Sequence, residues 1–530
     1  MKKYTFKYFH PSLMALSLIL AWFGMSPSLT PALDYRIADS KSDNGYPNPF
    51  RHYPRGPGYL HQSWVFETLV WKDDKGIIPA LATAWEYDPE TLTFTFQIRQ
   101  GVKWHDGKPL DAADIAFTIN YFLAHPYKFV SLEAVTRAEA LDARKVTIKL
   151  DKPYAAFISQ VAGVLPIIPE HIWEKVDEPE TYDDPKSFIG CGPFIFKNFD
   201  KAKGTYLYEA FRNYYLGKPK VDRLIYLQAD DPLVALSNGS ADLAMIKPEM
   251  SDILSKKGFV IMESANGWNK KLMINHKKAP FDNKVFRQAL AHAIDQRELI
   301  QKAHRGFATP ASYGLLSIDH EFYNPDTPRY EPSATGCGKL LESLGYTKNS
   351  LGFYEKDGKE LTIELLASNI SITGENKSDR DGEVIKQQLE RAGIKVNLIN
   401  QEQATADGRI KNWDFDLAIS GHGGLLGDAI ILSRMISPKS ESVNSARFGS
   451  NEELLKLLKK QSTEMDEAKR KKLVYKIQEI YADELPAISL YYPSSRVAYN
   501  PGKGIKWFFT PGGIGSGIPY ATNKAALIDR

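Results

Sequence analysis

Gly101-Val102-Lys103-Trp104-His105-Asp106-Gly107-Lys108-Pro109-Leu110-Asp111-Ala112-Ala113-Asp114 decides how this chain is read. Just before it, Phe94, Phe96 and Ile98 alternate with Thr93, Thr95 and Gln97, the two-residue period of a strand buried on one face. Asp106-Gly107 supplies a hairpin-like turn. Asp111 then stands at a helix N-cap with Asp114 at the third helical position, and Ile115, Ile119 and Phe122 form one apolar face. Two aspartates this close are also a candidate acid–base pair, but capping alone accounts for their spacing, so they are read as caps.

Working outward, Asp282 is expected to cap a helix carrying Val285, Phe286, Ala289, Leu290 and Ala293, and Asp295 with Glu298 to cap a second that stops at Gly306. Residues 361–367, 383–392 and 394–399 read as strand, helix and strand, with another short strand over 415–420. In open α/β sheets ligands sit beyond the carboxyl ends of strands, which places the loop Gly421-His422-Gly423-Gly424-Leu425-Leu426-Gly427-Asp428 at a site. Near the end, Leu473, Ile477 and Ile480 mark an amphipathic helix stopping at Pro486, followed by a buried strand over 487–492 and an irregular Gly/Pro-rich stretch over 511–519.

With 530 residues, the chain is too long for one simple core, so two or more domains are expected. Lys2, Lys3 and Lys7, the apolar run from Leu13 to Gly24 and the small-residue stretch to Ala32 read as a cleavable secretory signal over 1–32. Its removal takes three lysines and no acid, leaving basic side chains equal in number to the 64 acidic ones. That balance, with no basic block interleaved with aromatics, argues against a nucleic-acid partner. Neither cysteine, Cys191 or Cys337, follows the apolar run where a lipid-modified cysteine would stand, so a periplasmic protein without a lipid anchor is expected.

The chain has no H-E-x-x-H, C-x-x-C, Walker-type G-x-x-x-x-G-K-[ST] or G-x-S-x-G motif, and no catalytic residue, metal ligand or cofactor is assigned. Gly513-Ile514-Gly515-Ser516-Gly517 superficially resembles a nucleotide loop but lacks the third glycine spacing and a following strand-to-helix unit. Among eleven histidines without ligand spacing, His422 stands out between glycines. The 12% aromatic content leaves some rings free to line a cleft, where flat apolar faces with a polar tip suit peptides, sugars or chelates.

The stretch from Gly101 to Asp114 closely resembles the most recognisable motif of the family 5 extracellular solute-binding proteins, which serve peptide and nickel ABC importers. Three further segments match in that family's order. They are Pro79-Ala80-Leu81-Ala82; Cys191-Gly192-Pro193-Phe194 with Asn213-Tyr214-Tyr215-Leu216-Gly217-Lys218-Pro219; and Pro280-Phe281-Asp282-Asn283 through Arg287-Gln288-Ala289-Leu290 to Asp295. The resemblance implies a two-lobed α/β fold of the periplasmic-binding-protein type, class II. Lobe one comprises 33–265 plus 488–530, with an extra subdomain at about 53–184, and lobe two comprises 266–487. Hinges are expected near Glu263 to Asn275 and Pro486 to Tyr492, and closure buries the solute. The implied function is a non-enzymatic, monomeric receptor delivering a peptide or peptide-like solute to an ABC permease in the inner membrane.

Two departures bear on specificity. Where peptide-binding members resembling this chain place an aspartate for the ligand ammonium, Leu425 stands, with His422 at the position of a tryptophan. Asn369 falls in the segment where dipeptide binders carry a carboxylate-binding arginine. Burying an unpaired ammonium against leucine costs several kcal/mol, so a metal chelate, opine or other non-peptide solute is the alternative. The candidate ligand-binding set is His422, Gly423, Gly424, Leu425, Asp428, Asn369, Trp268, Tyr59 and Arg55. A Cys191–Cys337 bridge would tie the two lobes and hinder closure, so free thiols are favoured.

Overall fold

A computed structural model of the chain describes residues 32–39, 43–53, 56–368 and 380–529. The expected signal over 1–32 lies almost wholly outside these residues, as do Arg55 and Asn369. Around Gly101–Asp114 a short antiparallel bridge joins Lys103 to Pro109, and the Leu110 amide donates to the Val102 carbonyl at 3.0 Å. Asp111 accepts from the Ala113 amide at 2.8 Å, and Asp114 closes the capping box by accepting from the Asp111 amide at 3.2 Å. Asp114 also takes the Glu170 amide at 3.0 Å and the indole of fully buried Trp104 at 3.4 Å. His105 Nε2 lies 3.0 Å from the Gly192 carbonyl, tying this motif to the Cys191-Gly192-Pro193-Phe194 segment. Both aspartates are therefore occupied with backbone groups, as capping requires.

The chain opens with β1 (Asp34–Asp39). Two antiparallel hairpins follow, β2 (Ala82–Asp88) with β3 (Thr93–Ile98) and β4 (Val135–Asp142) with β5 (Lys145–Leu150), and the helix Ala112–Ala124 packs on them. Then come β6 (Phe194–Asp200), β7 (Thr205–Ala210), β8 (Arg223–Gln228), β9 (Leu243–Ile246) and β10 (Val260–Glu263). The remaining long elements include β11 (Trp268–Ile274), β12 (Ala308–Pro310), β13 (Thr362–Ser368), β14 (Lys395–Gln401), β15 (Leu417–Gly423), β16 (Ala487–Pro493) and β17 (Arg496–Tyr499).

Among the described residues these strands form a seven-stranded sheet in the order β10-β17-β9-β1-β8-β7-β6, a six-stranded sheet in the order β12-β16-β11-β15-β13-β14, and a four-stranded sheet in the order β2-β3-β5-β4. One large apolar core spans the seven- and four-stranded sheets together with the segment 505–527, while separate cores cover the two faces of the six-stranded sheet. The fold is therefore a two-lobed α/β arrangement. The strand, helix and strand read over 361–399 are β13, the helix Asp381–Arg391 and β14, with β13 parallel to both β14 and β15. Apolar Ile363 and Leu365 in β13 and Ile385 and Leu389 in the helix meet in one core, which fixes the helix against the sheet.

Three local readings change. Asn283, not Asp282, caps the helix Lys284–Ala293, its side chain accepting from the Val285 and Phe286 amides, because the preceding turn runs one residue further. The strand read over 415–420 continues to Gly423, because β11 pairs with it through the register Trp268↔Gly423. The loop therefore begins at Gly424 rather than Gly421. Strand β16 pairs with β11 and β12, so residues 488–493 stay in the six-stranded sheet. The chain returns to the other sheet only at β17, and the crossing segments, 264–267 and 494–495, are joined by a hydrogen bond from the Ser264 amide to the Ser495 carbonyl at 2.8 Å. Cys191 and Cys337 are both free and buried, and burial raises both thiol pKa values, that of Cys337 to about 12.

Candidate functional site

A cavity of about 530 Å³ opens between the two cores, within the range of small-molecule sites. On the side of the four-stranded sheet its wall includes Phe129, Val130, Pro153 and Tyr154, and on the other side Gly424, Asp428, Ile431 and Arg434. Contacts across the cleft frame it. Ser159 donates to Asp428 at 3.1 Å, and the Ala155 amide donates to the Ser462 carbonyl at 3.0 Å. Two glycine-rich turns also meet backbone to backbone: a Cβ added to Gly517 would lie 2.5 Å from the Gly427 nitrogen and 2.8 Å from the Gly424 carbonyl. This contact explains Gly517, while a Cβ at Gly513 would meet the backbone of Gly517 and one at Gly515 the ring of Tyr59; the stretch opens no helix and acts as an irregular turn. Gly424 itself has φ +88°, the left-handed region that glycine adopts without strain.

Beside the cavity, the face of the six-stranded sheet carries a buried polar stripe. Antiparallel register places Asn269 opposite His422 and Lys271 opposite Ser420, and directly opposed side chains share a face. Asn269 donates to Ser489 at 3.0 Å, Ser420 donates to the Asn444 side chain at 2.8 Å, and Lys271 donates to the Asn444 carbonyl. Neither ring nitrogen of His422 has a protein partner. Burial, with Lys271 and Arg434 close by, holds its imidazole pKa well below 6.5 and keeps the ring neutral. Lys271 is fully buried, no carboxylate among the described residues pairs with it, and burial pushes its ammonium down to about 7.

An unfolded lysine titrates near 10.4, so between about pH 7 and 10 the unfolded chain holds more protons and stability rises with pH. Lys271→Met removes that desolvation cost while forfeiting one hydrogen bond. It should raise stability by about 1–2 kcal/mol near neutral pH and flatten the pH dependence of thermal unfolding over this window. A lower midpoint for the variant at pH 7.5 would mean that the ammonium is a net stabilising group.

Of the expected ligand-binding residues, Gly424 and Asp428 line the cavity. Asp428 is not available as a free anion, because Arg470 donates to both its carboxylate oxygens, through Nη1 at 2.8 Å and through Nη2. Burial alone would raise its carboxyl, but these bonds and the guanidinium charge leave the pKa below the ordinary value. His422 and Gly423 end β15 instead of standing in an open loop. Leu425 is fully buried with Ala311 and Tyr492, away from the cavity lining, because the turn at Gly424 sends it inward. Trp268 lies over Gly421 so closely that a Cβ there would come within 1.9 Å of its ring. Tyr59 is buried behind the wall, stacked on Phe129 at 4.8 Å and donating to the Val164 carbonyl at 3.2 Å.

Sequence reasoning missed Arg434, Tyr154 and Phe129. Arg434 stands among Ile431, Leu432, Met435 and Ile436 on a six-residue helix, too short for a hydrophobic period to separate its faces. Among the described residues, no three His, Cys, Asp or Glu side chains gather to hold a metal, and no helix is long and apolar enough to cross a membrane.

Comparison with known proteins gives the geometry its context. Heme-binding protein A of Haemophilus influenzae is 28% identical, over 90% of this chain and 92% of its own length. The oligopeptide-binding protein AppA of Bacillus subtilis is 26% identical over 77% of this chain and 76% of its own. The crystal structure of NikA from Brucella suis in complex with Fe(III)-EDTA covers 92% of this chain and all of that one, with a TM-score of 0.78 at 22% identity, a likeness of fold. Residues 76–444 match the family described as bacterial extracellular solute-binding proteins, family 5, middle region. That match spans well over half the chain and includes all four resembling segments, so the chain belongs to the family 5 bacterial extracellular solute-binding proteins.

Proposed function

We propose that this protein is the receptor of an ABC importer, which captures a peptide or peptide-like solute between its lobes and passes it to a membrane permease. The cavity of about 530 Å³, walled from both cores and bridged by Ser159 and Asp428, carries this reading, because a solute inside it would touch both cores at once. Lobe one is taken as 33–263 with 496–530, the four-stranded sheet and its helix forming an extra subdomain within about 53–184. Lobe two is taken as 268–493. The paired segments 264–267 and 494–495 form the hinge, since a short two-strand crossing can twist while both sheets stay intact. The receptor works as a periplasmic monomer after removal of its signal, without lipid anchor, enzymatic activity or nucleic-acid partner. The taken state of Asp428 favours a second reading, in which the solute is a metal chelate, opine or other non-peptide.

Native mass spectrometry of the unboiled protein, followed by mild denaturation and extraction, should recover a peptide or peptide-like small molecule. Small-angle scattering should show a larger radius of gyration once that solute is removed. An unchanged radius with binding confirmed independently would sink the hinge, and recovery of a metal chelate instead would decide for the second reading.

A further inference from the structure

Arg434 is an unmatched charge of the cavity. The helix Ile431–Ile436 buries Ile431, Leu432, Met435 and Ile436 and turns Arg434 to the cavity, where its side chain is exposed yet walled by protein. A Cβ built on Gly424 would lie 3.5 Å from its Nη2, so the guanidinium rests against the bare glycine turn. No carboxylate among the described residues pairs with it. The acids that line the same cavity are committed elsewhere, Asp428 to Arg470 and Glu133 to Lys152 at 2.9 Å. Beside the guanidinium lies His422, buried and without a partner on either nitrogen. Lys459 on the same lining adds a second positive charge, and the facing wall combines apolar Phe129, Val130, Pro153 and Tyr154 with Ser131, Gln160 and the Glu133–Lys152 pair.

We propose that Arg434 receives a carboxylate of the solute, so that the receptor selects its cargo by an anionic end and not by an ammonium. This rests on reading the cavity as the solute site. A planar guanidinium matches a carboxylate with two parallel N–H···O bonds, and protein walls strengthen that bond by excluding water. An ammonium brought to the same place meets a cation, and the one buried carboxylate of the lining, Asp428, is already bound by Arg470, while Glu133 stands largely exposed beside Lys152. The same chemistry is offered by the C-terminus of a peptide and by a polycarboxylate chelate.

Thermal-shift and calorimetric titrations of the whole mature chain distinguish these. Three probes are compared: a mixture of di- and tripeptides with free C-terminal carboxylates, the same mixture as C-terminal amides, and Fe(III)-EDTA. The peptide acids should stabilise the wild type and the amides should not. Arg434→Gln should bind the acids about ten- to a hundredfold more weakly, the span of a lost charge-assisted hydrogen bond, and Arg434→Lys should recover part of that loss. Because Arg434 faces the cavity, the ligand-free unfolding midpoint of both variants should stay near wild type. If one fails to fold, the acid-against-amide contrast on the wild type decides. Equal binding of acids and amides, or an Arg434→Gln variant that binds acids as well as wild type, would overturn the carboxylate contact and leave the peptide receptor standing. Binding of Fe(III)-EDTA alone, lost in Arg434→Gln, would overturn the peptide reading and keep the contact. If none of the three binds, both readings fall.

Discussion

Lys524→Met should destabilise lobe one by about 3–5 kcal/mol, the usual cost of stripping one partner from a buried ion pair. Lys524 and Glu67 lie 2.8 Å apart with side chains 3% and 1% exposed. Glu67 also accepts from the Tyr214 hydroxyl at 2.8 Å and the Tyr215 hydroxyl at 3.4 Å, and the Lys524 ammonium sits 4.0 Å from the centre of the Trp71 ring. Removing the cation leaves a carboxylate that two phenols cannot neutralise. The pair also fastens the C-terminal segment, whose Trp507, Ile514 and Leu527 are part of the lobe one core, so the loss should propagate to the glycine turn at 512–517. In thermal unfolding the transition of this lobe should fall by on the order of 10 °C. The double variant Glu67→Gln with Lys524→Met should recover much of the difference, because no uncompensated charge remains. A single variant within 1–2 °C of wild type would show that the pair is not holding the segment.

Arg470→Met should cost a comparable 3–5 kcal/mol, now in lobe two, by leaving Asp428 buried without its cation. The pH dependence identifies the cause. In the wild type the folded pKa of Asp428 lies below its ordinary value, so its contribution is present above about pH 4 and lost as pH falls through the depressed pKa. In Arg470→Met burial is opposed only by the hydrogen bonds from the Ile430 amide and Ser159 and raises the carboxyl, so the charged form destabilises the folded state above about pH 4. The gap between variant and wild type should therefore be widest near neutral pH and close as the carboxyl is protonated. A gap constant from pH 3 to 7 would point to lost packing around the Arg470 stem instead. Because Asp428 also holds Ser159 from the other lobe, the variant should show weaker closure in scattering with solute bound.

Local order was legible in the sequence wherever a side chain acts on its own neighbouring backbone. The capping box at Asp111 and Asp114, the cap at Asp295 and the unit β13, helix and β14 follow from hydrogen bonds within a few residues and from apolar periodicity. The four resembling segments carried the family for the same reason: they are short stretches whose residues make one local structure, such as Trp104 folding back on Asp114.

What only the tertiary structure decided depends on residues far apart along the chain. Strand β15 runs on to Gly423 because β11, about 150 residues earlier, supplies its partner, and that pairing withdraws His422 and turns Leu425 into the core. Asp428 is spent as an anion by Arg470, 42 residues later, and steadied by Ser159, 269 residues earlier. Arg434 is left as an unpaired charge only once the partners of its neighbours have been assigned in space. A sequence sets which groups can bond. Long-range pairing decides which are still unbonded when the chain has folded, and a binding site is made of those.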